Sequence, residues 1–344
     1  MKWLFRWHAI FAIVAIFTAH SGDVMAERLF SARTESAAWD NNRHVAGNCF
    51  IEQNGFLHML YYAATQSGIT AVGLARESDG NGFSRVIDRP VLEPGKGDEW
   101  DAGGVSVFPG CIIKRKDGTY WLYCSGIEKG AADFYWARRS GIGLAFSKDL
   151  VNWEKYSGNP ILLPEKKYSW ESEGIFEPSI IFTGDEYGGE GSFRMYYGGN
   201  DSSGRMSIGY AESFNGVNSW KKYSGNPVLA HSDDHAFDSY TVEVHHAIKL
   251  SGQYLILYEG TDRKFPSRFS IGLACSSDGV NFTRSGHVIH EGGITGSWDA
   301  MGAYHPSLVW KNGEYFLYYV GLDYRYEHAV GVIKLKSNPV EFCR

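Results

Sequence analysis

The sequence predicts an all-β chain folded as a five-bladed β-propeller with four-stranded antiparallel blades. Three observations carry this reading. The 344 residues include 21 Tyr, 20 Phe, 11 Trp and 41 Gly but only 10 Pro. That balance suits short aromatic strands joined by tight turns and excludes a disordered or collagen-like chain. An aromatic residue followed by an acid recurs five times: Trp39-Asp40, Trp100-Asp101, Trp170-Glu171, Phe237-Asp238 and Trp298-Asp299. Each pair is followed by an apolar strand, a polar turn and an aromatic strand, and a fixed repeat of this size marks a propeller or array.

The elements follow in chain order. Lys2 and Arg6 precede the apolar run Ala9 to Ala19, and Val24-Met25-Ala26 offers small residues at −3 and −1 of a cleavage point. Residues 1–26 therefore read as a secretory signal peptide, and residues 27–344 as a single propeller domain. The run is too short to span a bilayer comfortably. The expectation is a secreted or periplasmic protein with no membrane contact after cleavage. A net charge of −6 gives no basic footprint for nucleic acid.

The hairpins are clearest at 110–126, 247–260 and 307–321, where Lys-Asp-Gly, Ser-Gly or Lys-Asn-Gly separates two alternating apolar runs. A third strand opens at Gly73-Leu74-Ala75, Gly143-Leu144-Ala145, Gly209-Tyr210-Ala211 and Gly272-Leu273-Ala274. Polar turns such as Ser277-Asp278-Gly279 lead to a fourth strand marked by Phe83, Trp153, Trp220 or Phe282. Linkers such as Asn159-Pro160-Ile161-Leu162 carry the chain onward. The last copy stops at Gly331-Val332-Ile333, so Arg28 to Arg33 is expected to supply its missing strand and close the ring. Five cysteines show no Cys-x-x-Cys. Cys111 and Cys124 flank one turn and face each other across a hairpin, either as a disulfide or as buried thiols.

These motifs, from Trp-Asp through Pro-Ser-Ile-Ile, Tyr-Tyr-Gly-Gly, Ile-Gly-Leu-Ala and Ser-x-Asp-Gly to Asn-Pro-Val-Leu, resemble the five-bladed β-propeller glycosidases. That superfamily includes glycoside hydrolase families 43, 32, 68, 117 and 130. The resemblance covers residues 30–336. It implies a family 43-like glycosidase acting on an oligo- or polysaccharide, with three carboxylates at one end of the central channel. It implies no cofactor beyond a structural calcium ion, a carbohydrate as the partner, and a monomer. A phosphorylase or transglycosidase, or a non-catalytic sugar-binding propeller, remains open on the same scaffold.

Residues that break the repeat are the functional candidates. The recurring acid reads as a turn-bonding residue, with Asp101 and Asp238 the members expected nearest the channel mouth. Aligning Tyr304-His305-Pro306-Ser307 with Phe176-Glu177-Pro178-Ser179 and Glu243-Val244-His245-His246 places Glu177, Glu243, His245 and His305 at the start of inner strands. Ionised groups are not set beside a core without compensation. Glu177 and Glu243 are therefore the expected acid/base pair, with Asp101, Asp40 or Asp238 as the third acid. His305, His245, Tyr304, Asp238, Trp136 and Tyr240 are expected to contact sugar. Loop charges Arg138, Arg139, Arg263, Lys264 and Arg268 suit an acidic sugar or phosphate. The Asp-Pro that families 43 and 32 carry in the first blade is absent, and Asn41 to Asn48 stands there. Neither a metal motif nor a phosphate loop is present.

Overall fold

The computed structural model describes residues 26–35, 38–42, 44–65, 68–78, 82–130, 140–183, 191–232, 236–264 and 268–343. Most of the expected signal peptide, Trp136, Arg138 and Arg139 lie outside the described residues. No helix among the described residues is long and apolar enough to cross a membrane.

The architecture is all-β. The strands Gly174–Phe182, Phe193–Asn200, Met206–Ser213 and Lys221–Lys222 form one antiparallel sheet in chain order. Thr241–Leu250, Gln253–Thr261, Ser270–Ser276 and Thr283–His290 form the next. In the last sheet Gly302–Lys311, Glu314–Leu322 and His328–Lys334 are completed by Glu27–Ser31, so the chain's beginning supplies the outer strand. Glu27 pairs with Val332 and Ser31 with Ala329. The first two repeats, Val45–Gln53 through Phe83–Arg85 and Gly104–Ser106 through Glu154–Lys155, merge into a nine-stranded sheet. They are joined by one parallel pair, Thr70 with Gly104.

Turn chemistry fixes the hairpin registers. Asn54-Gly55, Ser251-Gly252 and Asn312-Gly313 hold both central residues at positive φ, the two-residue turn whose twist matches the strands. In the Ser-x-Asp-Gly turn, Ser276 Oγ accepts from the amides of Asp278 and Gly279. Asp278 Oδ1 in turn accepts from Val280 and Asn281, which holds that carboxyl well below the usual range.

The recurring aromatic–acid pair is a junction inside each repeat. All five acids are buried. Tyr61, Tyr197, Tyr258 and Tyr319 donate to Asp40, Glu171, Asp238 and Asp299 at 3.0, 3.1, 3.0 and 2.7 Å. The fourth strand supplies the base. Arg85 meets Asp40 at 2.6 Å, Lys155 meets Asp101 at 2.5 Å, Lys222 meets Glu171 at 2.6 Å and Arg284 meets Asp238 at 2.5 Å. The aromatic partner stacks on the same tyrosine, as Trp298 does on Tyr319 with centroids 5.4 Å apart. A Cβ at Gly331 would meet the Trp298 ring at 2.4 Å, so this strand needs glycine there.

Cys111 and Cys124 are buried thiols, the second of the two expected alternatives, and not a cross-hairpin disulfide. Cys275 and Cys343 form a disulfide, whereas Cys49, Cys111 and Cys124 are buried free thiols. A junction acid is testable through its base. Glu171 is fully buried and Lys222 has a side chain only 7% exposed. Glu171→Ala strands that ammonium and is expected to cost about 3–5 kcal/mol in urea unfolding.

Candidate active site

The inner strands of the third and fifth repeats break register at the same point. Pairing skips from Phe176 to Ser179 and from Tyr304 to Ser307. The first repeat skips from Ala46 to Cys49, and the fourth from Val244 to His246. The extra residues are bulges, which bend a strand and re-aim a side chain. Glu177 and His305 sit there with φ of 56° and 49°, a region L residues rarely occupy. Gly47 occupies the same position in the first repeat at φ 93°. A Cβ there would lie 2.2 Å from the Val107 carbonyl oxygen, so only glycine fits.

These bulges gather a buried centre. Glu177, His245 and His305 place one donor atom each within 4.8 Å of one another. Glu259, on the strand Gln253–Thr261, joins them: His245 Nε2 lies 2.7 Å from its Oε2 and 3.9 Å from Glu177 Oε2. Glu243 stands directly opposite Glu259 in the strand register. Backbone amides hold the parts in place. The Glu177 N–H donates to Ser125 Oγ at 2.8 Å, the His305 N–H to Glu259 Oε2 at 2.9 Å, and the Gly47 N–H to His305 Nδ1 at 3.2 Å. All five side chains are at most 2% exposed. Neither Glu177 oxygen has a hydrogen-bond partner, and neither His245 nitrogen has one despite its close approach to Glu259.

Three buried carboxyls without a fixed cation cannot all stay ionised. Burial, then Glu243 and Glu259, pushes Glu177 well above the usual range. Burial, then Glu259, does the same to Glu243. Burial lifts Glu259 to about 8, against the His305 amide, which lowers it. Burial drives both His245 and His305 well below their usual range, so they are neutral at pH 7. The three carboxyls titrate as a unit.

Above this centre opens a cavity of about 810 Å³, with Glu259 and His305 in its lining. Aromatic walls come from Tyr62, Phe108, Phe176, Phe269 and Tyr304. His44, His328 and Arg325 add polar groups, and the His44 and His328 rings lie 4.2 Å apart. The Tyr304 hydroxyl contacts His328 Nδ1.

The structure thus brings together Glu177, Glu243, His245, His305 and Tyr304. It does not bring Asp40 or Asp101 to the centre as a third acid, nor Asp238 to the sugar-contacting wall. Each is tied up in the junction of its own repeat, where a base from the fourth strand neutralises it. Tyr240 is half-buried, donates to the Ser203 carbonyl at 3.4 Å and is absent from the cavity lining. Glu259 is the carboxylate that inspection of the first strands misses. Its signal lies on the second strands, where the residue after the junction position reads Tyr62, Ser125, Gly198, Glu259 and Val320.

The calcium ion implied by the resemblance is a poor fit. Calcium takes six to eight oxygens, whereas this group offers two imidazoles and one carboxylate, with His305 Nδ1 already engaged by Gly47.

No protein-family model matches the chain. It is 26% identical over 249 residues, 70% of this chain and 75% of the relative, to the uncharacterized protein Rv1502 of Mycobacterium tuberculosis. It is 24% identical over 149 residues to a 1,2-β-oligomannan phosphorylase of Thermoanaerobacter, covering 41% of this chain and 47% of the relative. Among solved structures, one described as showing that the GH130 family of mannoside phosphorylases contains glycoside hydrolases superposes with a TM-score of 0.65. Its identity is 19%, over 92% of this chain and 96% of that one. Glycoside hydrolases of families 43 and 117 also match in fold, at 16% and 14% identity. The chain thus shares its all-β fold with solved glycoside hydrolases and mannoside phosphorylases.

The raised carboxyls predict a pH dependence. Glu259 binds its proton more tightly folded (about 8) than at its ordinary value of 4.5. Its contribution to stability is therefore complete below about 4.5 and is lost as pH rises through 8. Melting temperatures across that window are expected to fall more steeply for the native chain than for Glu259→Gln.

Proposed function

We propose that this protein is a glycoside hydrolase, exported as a monomer to the periplasm or beyond the cell, with its repeats closed into a five-bladed propeller around the carboxylate centre. The observation that carries the reading is the convergence of Glu177, Glu243 and Glu259 beneath an aromatic-walled cavity. Glycosidic cleavage needs a protonated acid at the leaving oxygen and a carboxylate across the sugar ring. Glu259 lines the cavity, and its raised value keeps it protonated near neutrality. It serves as the general acid. Glu177, on the inner strand of the preceding repeat with its Oε2 3.9 Å from His245 Nε2, is the carboxyl paired with that acid. Glu243 faces Glu259 across the strand pair and adds a third carboxyl to the buried group. Neutral His305 and Tyr304 offer hydrogen bonds to sugar hydroxyls, and the aromatic walls stack on its apolar face.

Phosphorolysis is the second reading. The match to a 1,2-β-oligomannan phosphorylase favours it, as do Arg325, His44 and His328 on the cavity wall. The same relative makes β-1,2-linked mannosides the first substrates to try.

The test is turnover of a glycan panel that includes β-1,2-mannosides, with and without inorganic phosphate. Free sugar as product in both conditions is expected. A sugar 1-phosphate formed only with phosphate would establish the second reading. Glu259→Gln and Glu177→Gln are each expected to lower kcat roughly 10²–10⁴-fold while remaining folded. Full turnover by both variants would remove the assignment.

A further inference from the structure

Cys49 follows the bulge that carries Gly47 and Asn48 on the strand Val45–Gln53. Cys111 stands just after Gly110, whose carbonyl accepts from Ile180 on the strand that carries Glu177. The two thiols meet within one apolar cluster spanning the first and second repeats, among Val105, Val107 and Leu122. The Cys111 thiol donates to Cys49 Sγ at 3.1 Å, and both residues are fully buried. They come from positions 62 residues apart in the chain.

We propose that Cys49 and Cys111 form a second structural disulfide, which ties the first two repeats together beside the carboxylate centre. The sulfurs need to close to about 2.05 Å, roughly 1 Å nearer than they now stand. The walls of the contact are apolar, and Cys124 in the same cluster is the one further thiol near Cys111 among the described residues. The same chain forms the disulfide between Cys275 and Cys343, so conditions that make that bond also meet this pair.

The oxidant is a small-molecule disulfide, such as oxidised glutathione. One cysteine thiolate attacks it, forms a mixed disulfide and releases one glutathione thiolate. The second cysteine attacks the mixed disulfide and releases the other glutathione. Two protons and two electrons pass from the protein to two reduced glutathiones. The reaction belongs to the folding chain, because burial holds the Cys111 thiol well above its usual pKa once the contact is dry. The bond braces two parts of the centre. Cys49 is two residues from the Gly47 amide that holds His305, and Cys111 adjoins the carbonyl that pairs with the Glu177 strand.

The test counts thiols. The full chain is denatured, reduced and refolded in a mixture of reduced and oxidised glutathione. It is then denatured without reductant, alkylated with iodoacetamide and mapped by mass spectrometry. One alkylated cysteine, Cys124, and a linked Cys49–Cys111 peptide are expected. Alkylation of both Cys49 and Cys111 with the Cys275–Cys343 bond intact would overturn the proposal, as would linkage of either to Cys124. The same count on protein exported to an oxidising compartment, and on Cys124→Ser, reads the pairing independently of refolding yield.

Discussion

The buried acid at the start of each repeat is the contact on which the rest depends. A carboxylate taken out of water is costly unless it is paired and hydrogen-bonded. Here each one is met by a tyrosine or by a base, and in most repeats by both. The acid comes from the segment leading into the inner strand, the tyrosine from the second strand and the base from the fourth. One residue therefore pins three parts of a sheet that would otherwise meet only through apolar contact. The stacked tryptophan or phenylalanine shields the junction from water, which strengthens it.

The centre follows the opposite rule. Glu243 and Glu259 face each other across paired strands, where like charges oppose folding. Glu177 and His305 hold backbone conformations that their side chains disfavour. Both glutamate oxygens of Glu177 and both ring nitrogens of His245 lack partners. Local cost of this kind persists only where the surrounding structure over-determines it, and the five junctions supply that restraint.

Much of the fold was legible because a repeat states each rule several times. Asn-Gly turns and the Ser-x-Asp-Gly loop are local chemistry read directly from residue type. The alignment of Phe176-Glu177-Pro178-Ser179 with Tyr304-His305-Pro306-Ser307 matches the observed register breaks, so Glu177 and His305 could be found as departures from a pattern. Glu259 was hidden because its strand reads as core and its neighbours, Tyr258 and Gly260, obey the repeat. Asp40 and Asp101 misled in the other direction. A buried acid looks catalytic until its counter-ion is known, and the fourth-strand bases of Asp40 and Asp101 lie 45 and 54 residues further along the chain, with Arg33 a nearer partner of Asp40. No local pattern links such partners.

Repetition by itself offers no direction, since equal repeats would present equal groups. Direction arises because the substitutions are unequal. The third and fourth repeats contribute the carboxyls, whereas the fourth, fifth and first contribute imidazoles and tyrosines. The cavity therefore has a carboxyl-bearing side and a side of neutral imidazoles and tyrosines. Burial keeps His305 and His245 uncharged, so they do not neutralise the carboxyls outright. Had either imidazole been protonated, it would have paired with Glu177 or Glu259 as a fixed ion pair, and the carboxyl would have lost the proton that acid catalysis requires. The low basicity of these histidines is thus as necessary to the centre as the high proton affinity of its glutamates.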